Sequence, residues 1–378
     1  MTYLCMRSAP IVGVFGRVRY RRGYYLCERC QARQSPLDRR MGIEAGQVTA
    51  GLAELLALAG VEVAFEEATR WLEPDLLFRV RDNTLRKENE RLGEFQKVPE
   101  EEWEQESQTE AWLQQRQRAL GKQPGRLYGS LDGVMAPLVG EWRELKNIAW
   151  YRVEKVDLYQ KRRRHAQRVG EQTDLQAQDI TYHCDFKTGD EFGALFWASA
   201  GRRQADLYEE LVFVCDGATW IWKLIERHFP HAVQIVDWYP ASGYLPPLTA
   251  AAFRPGIEQY HAWLDNARSV LGEGQIDKLI DACQQVSAQA TAAVHKAVTY
   301  LTNNPKRMEY AHFRQPGYFI GSGTVESGGK QISTLRLQPC GARWTEPGAL
   351  PTAKARAAWL SGGWDLLASK RDALSLAA

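Results

Sequence analysis

Hydrophobic positions change period along the 378-residue chain, and the changes mark its regions. Between residues 46 and 95 they recur at helical spacing. Leu52, Leu55, Leu56 and Ala59 form one set; after Gly60, Phe65, Ala68, Trp71 and Leu72 form a second. Asp82 or Asn83 is suited to cap a third helix through Leu85 and Leu92. Three short helices with tight breaks suit a helix-turn-helix fold and any other small helical bundle equally well. From Arg126 the period shortens. Residues 127–135, ending near Asp132, and residues 142–153 and 180–184 predict strands, and residues 190–207 a helix with Phe192, Leu195, Phe196 and Ala200 on one side. Residues 211–215 are a continuous apolar run, the mark of a parallel strand buried on both faces. Residues 221–228 predict a helix, and residues 232–236 another buried strand ending at Asp237. Strands, helix, strand, helix, strand make a mixed α/β core. Beyond Trp263 the pattern is helical, broken at Asn303-Asn304-Pro305 and again around residues 317–323.

Charge divides the chain further. The formal net charge of +2 hides blocks: nine Arg stand against Glu28 and Asp38 in residues 1–40, and nine Glu against Arg91 and Lys97 in residues 88–110. Such separation points to parts with different partners. The Glu-rich tract 94–110 is polar on all sides except Phe95, Trp103 and Trp112, and reads as a solvated helix or linker. Lys161, Arg162, Arg163, Arg164 and Arg168 read as an exposed hairpin tip or loop. No apolar run approaches the ~20 residues needed to span a bilayer, and residues 1–7 lack the basic-then-apolar pattern of a signal peptide. Seven Cys in a chain this long make no disulfide scaffold and suit a reducing, cytoplasmic compartment. A membrane protein and a small secreted module are excluded. Three regions follow: a basic segment 1–44, a helical region 45–125 closing on the Gly121–Gly125 stretch, and an α/β domain 126–378 with a helical insertion at about 245–315.

The candidate chemistry is mainly acidic. Asp132-Gly133 and Asp216-Gly217 each follow an apolar strand pattern, and ligand sites in open α/β sheets lie beyond the carboxyl ends of strands. Either pair alone also suits a hairpin turn. Glu326 lies in a Gly/Ser-rich entry to a helix. Three carboxylates favour a hard cation held by oxygens, Mg²⁺ or Mn²⁺. Two such ions some ~4 Å apart activate water and steady a leaving phosphate oxygen. Cys27 and Cys30 can clamp one side of a tetrahedral Zn²⁺, but a closed site needs four ligands, Cys5 stands alone and no His precedes residue 165. His183, Cys184 and Asp185 look like a ligand cluster, yet adjacent strand residues point to opposite faces. Of the 13 Trp, Trp220 and Trp222 follow Asp216 on a helix and suit packing against the sheet better than base stacking.

The stretches 16–27 (GRVRYRRGYYLC), 131–135 (LDGVM), 214–222 (VCDGATWIW), 233–239 (VQIVDWY), 318–327 (YFIGSGTVES) and 352–361 (TAKARAAWLS) together resemble the ISKra4 family of bacterial insertion-sequence transposases. The resemblance covers nearly the whole chain. It implies an RNase H-like catalytic core with Asp132, Asp216 and Glu326 as an acidic triad on Mg²⁺ or Mn²⁺. It further implies a nucleoid-associated homo-oligomer that binds terminal inverted repeats and target DNA, cutting and joining strands. Family members carry an earlier Cys pair that would complete a zinc ribbon with Cys27 and Cys30. The chain begins after it, so a truncated copy with an incomplete Zn²⁺ site is expected. Where the family tends to have a His and then a Glu after Asp-Trp-Tyr, this chain has Pro240 and Gly243, with Pro246 and Pro247 beyond. Where the family's helix continues through Ala-Cys, this chain has Gly328-Gly329, each costing up to ~1 kcal/mol in a helix interior. Pro339, Pro347 and Pro351 fall in stretches that should be helical, where an interior Pro costs roughly 3 kcal/mol. These departures predict a weakened carboxy-terminal third, which Gly-to-Ala reversion would strengthen. They raise a second reading, a catalytically inactive remnant that still binds DNA. A carbohydrate hydrolase with paired carboxylates would account for the acids but not for the basic segments 1–40 and 161–168.

Overall fold

A computed structural model describes residues 1–40, 43, 48–74, 76, 78–118, 123–155, 175–286 and 292–365. The basic cluster expected at 161–168, and Gly121 and Lys122 of the expected boundary, lie outside the described residues.

The basic segment opens on two long strands. β1 (Thr2–Gly13) pairs antiparallel with β2 (Gly16–Leu26), which pairs with the two-residue β3 (Arg33–Gln34). One face is anchored: Ala9 and Ile11 are buried, and Asp38, on the short helix α1 (Pro36–Arg40), accepts from the Tyr20 hydroxyl at 2.6 Å and pairs with Arg22. Alternation then leaves Arg17, Arg19 and Arg21 of β2 exposed on the other face.

Three helices follow where helical spacing placed them: α2 (Ala50–Glu62), α3 (Phe65–Leu72) and α4 (Asp82–Ser107). They close around Leu52, Leu56, Ala68, Leu72 and Leu85. Trp71, which the pattern assigned to the inner face, is 53% exposed. The larger correction concerns the Glu-rich tract. Most of it is no separate solvated element but the second half of α4, and Glu100 within it is 2% exposed. A shorter helix, α5 (Glu110–Arg118), continues beyond.

The α/β region forms one five-stranded sheet from β4 (Gln123–Leu138), β5 (Glu141–Lys155), β6 (Leu175–Asp185), β7 (Tyr208–Cys215) and β8 (Val233–Val236). The order is β6-β5-β4-β7-β8: β4, β5 and β6 are antiparallel, and β7 and β8 run parallel to β4. The helices α6 (Gly189–Arg202), after β6, and α7 (Thr219–His228), after β7, cover one face through Trp150, Phe196, Phe213, Phe192 and Trp220. Trp222 is buried, as packing against the sheet requires. The described residues of 238–286 and 292–314 include the helices α8 (Trp238–Gly243), α9 (Leu245–Ala252), α10 (Glu258–Gly272), α11 (Ile276–Val286), α12 (Ala292–Asn303) and α13 (Tyr310–Arg314). The chain then crosses the opposite sheet face as α14 (Gly323–Gly329), a π-helical turn (Lys330–Thr334) and α15 (Leu335–Leu337), before α16 (Glu346–Leu360). Among the described residues no helix is long and apolar enough to cross a membrane.

Every residue of α16 from position 348 to 358 is buried, including Lys354 and Arg356. Two of the three suspect prolines cost the helices nothing: Pro339 lies in the loop before α16, and Pro347 in its first turn, where the missing N–H has no intrahelical partner to lose. Only Pro351 interrupts the helix interior. There α4 crosses so closely that a Cβ on Gly93 would meet the Pro351 carbonyl oxygen at 1.9 Å.

Candidate active site

Asp132 does not end its strand, as the sequence suggested. It lies inside β4, which continues to Leu138 as a hairpin with β5. It is β7 that stops. The parallel register Gly129↔Phe213 carries on to Leu131, whose N–H faces Cys215 Sγ at 3.4 Å, so Asp132 stands level with Asp216 just past the end of β7. Asp132 Oδ1 accepts from Gly133 N at 2.8 Å within the strand, and Asp216 Oδ1 caps its own turn by accepting from Ala218 N at 3.0 Å. Gly217 takes φ +94°, and the Tyr300 ring packs so closely that a Cβ there would lie 2.7 Å from it. The Tyr300 hydroxyl of α12 donates to the Asp216 carbonyl at 2.6 Å. Glu326 arrives on α14. All three acids, with Tyr244, Ser322 and Lys330, line one cleft of about 420 Å³.

The carboxylates strain against each other. Burial, then the charge of Asp216 and those of Glu326 and Glu144, raises the Asp132 pKa to about 6 against the opposing Gly133 N–H. Asp216 is pushed up by burial, and by Glu144 and Asp237. Glu326 is held differently: its side chain is 38% exposed, 3.9 Å from Lys330 Nζ and 3.4 Å from Ser322 Oγ. Among the described residues no three His, Cys, Asp or Glu side chains gather closely enough to hold a metal ion. The cleft thus brings the three predicted acids together without drawing them into a tight cluster.

Two further acids were not singled out from the sequence. Glu144, on β5 beside Gly133, adds its charge to both aspartates and pairs with Lys146 at 2.8 Å. Asp237 is fully buried; its Oδ2 accepts from both the Ser322 N–H, at 2.6 Å, and the Ser322 hydroxyl, while Oδ1 accepts from Tyr239 N at 2.7 Å. Since Ser322 opens α14, Asp237 ties the end of β8 to the helix that carries Glu326. The signal available in the sequence was its position, one residue beyond an apolar strand.

Gly328 and Gly329 reverse their expected meaning. Both are helical, yet neither is a defect. A Cβ on Gly328 would lie 2.3 Å from the Tyr182 ring, and one on Gly329 2.8 Å from Val134. Their missing side chains let α14 lie on β4 and β6. Reversion to Ala is therefore expected to destabilise: Gly328→Ala should cost about 1–3 kcal/mol through overpacking, read as a lower melting temperature. An unchanged or raised melting point would contradict this close approach.

His183, Cys184 and Asp185 are accounted for by packing and pairing. His183 Nδ1 lies 2.8 Å from Glu100, Cys184 is buried with its carbonyl taken by Lys354 Nζ at 2.9 Å, and Asp185 lies 3.1 Å from the same Nζ. Cys27 and Cys30 sit on the turn between β2 and β3, where Cys27 N donates to Ala32 O and Gln31 N to Cys27 O, both at 2.8 Å. Both thiols are free, and no further metal ligands gather beside them among the described residues. The chain matches no family model and no curated protein.

Proposed function

We propose that the chain is a DNA transposase with an RNase H-like core, binding insertion-sequence ends and performing metal-dependent strand cleavage and transfer. One observation carries the reading: Asp132 from β4, Asp216 from the end of β7 and Glu326 from α14 line a single cleft in a sheet of order β6-β5-β4-β7-β8. Asp132 and Asp216 suit Mg²⁺ or Mn²⁺ by their chemistry. They offer oxygen donors, they are half-buried, and no basic side chain pairs with either among the described residues. Such a cation, when bound, lowers the pKa of water and neutralises charge on a phosphate. The two aspartates would hold it, with Glu326 as the third ligand. Asp237, through Ser322, fixes the start of the helix bearing Glu326, and Tyr300 fixes the Asp216 turn. Lys330, on the cleft wall, supplies positive charge toward a phosphodiester. The partial zinc-ribbon-like segment would act on DNA through its exposed row Arg17, Arg19 and Arg21 instead of through a metal. Each of these replaced by Ala should lower the slope of log K against log salt by about 1, measured by DNA binding across a salt series.

The deciding experiment is Mg²⁺-dependent cleavage of a labelled element end by the purified chain, beside an Asp216→Asn control. Cleavage by the wild type alone supports the reading. The second reading is an inactive remnant, for which DNA would bind and neither protein would cut.

A further inference from the structure

Arg336, on α15, is 1% exposed and has no carboxylate partner among the described residues. Its guanidinium lies 4.5 Å from the Phe65 ring centroid and 5.2 Å from that of Trp344. Nε donates to the Gly60 carbonyl at 2.6 Å, while Nη2 is buried with no acceptor among the described residues. The charge it feels most is another cation, Arg356, which is itself held by Val61 O at 3.0 Å and Glu62 Oε2 at 2.7 Å. Burial and that neighbour push the Arg336 pKa down to about 9. A buried charge lacking a counter-ion is among the costliest features a fold can carry. Arg336 lines a pocket of about 360 Å³, whose rim holds the exposed Arg86 and Arg343 and whose wall includes Thr345 and Gly348 at the amino end of the 15-residue α16. Glu90, the single carboxylate of the lining, lies 3.7 Å from Arg86. Three guanidinium groups, a helix amino end and one committed acid leave the pocket short of an anion.

We propose that this pocket binds a phosphate group, with Arg336 as its deep ligand and Arg86 and Arg343 at the mouth. The inference stands on the pocket and does not rest on the catalytic reading. It bears on that reading through distance: ten residues of nearly continuous helix separate Glu326 from Arg336, about 15 Å along the axis. That is roughly four nucleotides of a B-form strand. The phosphate comes from such a strand or from free phosphate.

Calorimetric titration of the purified full chain with inorganic phosphate, against chloride at equal ionic strength, tests it. Saturable binding is expected. Arg86→Ala and Arg343→Ala, both at exposed positions, should each weaken it about tenfold, and Arg336→Met should abolish it. Absence of saturable binding by the wild type overturns the proposal. So does undiminished binding by the Arg86→Ala/Arg343→Ala double variant, which decides the matter even if Arg336→Met fails to fold. A short single-stranded oligonucleotide that competes with phosphate in the wild type identifies the strand as the source. Phosphate binding without that competition identifies the free ion.

Discussion

Replacing Asp132 by Asn is expected to lower Mg²⁺-dependent strand cleavage about a thousandfold while making the metal-free protein more stable at neutral pH. The two effects share one cause. Asp132 is half-buried beside Asp216 and feels Glu326 and Glu144 as well. In the proposed role of a metal ligand its charge would be needed: a bound cation contributes several kcal/mol of charge stabilisation, and about 4 kcal/mol corresponds to roughly a thousandfold in rate. Without the cation the same charge is a liability. An unfolded aspartate titrates near 3.9, whereas Asp132 in the fold titrates at about 6. Between these values the folded chain keeps a proton that the unfolded chain has released, so stability falls as pH rises through the window. Above it the cost is on the order of 3 kcal/mol, which the amide avoids. Melting curves at pH 4 and pH 7 in chelator should show the variant gaining over wild type only at pH 7. DNA affinity should not change, and adding Asp216→Asn should cost little more activity. Equal loss of stability at both pH values would show that Asp132 is a structural residue and not one of a repelling set.

Lys354→Met should be the most damaging single substitution away from the cleft. Lys354 Nζ is hydrogen-bonded to Glu100 Oε2, lies 3.1 Å from Asp185 Oδ2 and donates to the Cys184 carbonyl at 2.9 Å, which ties α16 to α4 and β6. Lys354 and Glu100 are each 2% exposed. Burial alone would keep Glu100 protonated, but Lys354 and His183 hold its pKa down at about 2. Removing one member of a buried pair leaves the other uncompensated, which costs about 3–5 kcal/mol. Melting should fall by on the order of 10 °C. In the wild type the Glu100 contribution is present above its unfolded pKa, near 4.3, and is lost as pH drops toward 2. Without Lys354 the carboxyl takes up a proton more readily, so the deficit of the variant should shrink between pH 7 and pH 4. Glu100→Gln added to Lys354→Met should restore part of the loss. Wild-type stability of Lys354→Met would remove this network from the account of the fold.

Much of the architecture was legible in the sequence because periodicity is a local property. The apolar run 211–215 became β7, helical spacing from Leu52 to Ala59 became α2, and Asp216 stands where a buried strand stops. What lies opposite a residue is not local. The Glu-rich tract looked solvated because, three aromatic residues apart, it is polar on all sides; Glu100 is buried because Lys354, 254 residues away, meets it. Gly328 and Gly329 looked like helix defects because propensity counts only the helix, whereas Tyr182 and Val134 decide how much room a side chain has there. Asp132 looked like the end of a strand because Asp-Gly favours turns, yet the hairpin with β5 carries β4 past it and leaves the acid level with Asp216. The sequence by itself determined the order of elements and the acids that end up on one cleft. Only the tertiary structure decided which charges are buried, which glycines are required and how closely the acids approach, since each depends on groups distant in the chain arriving at the same place.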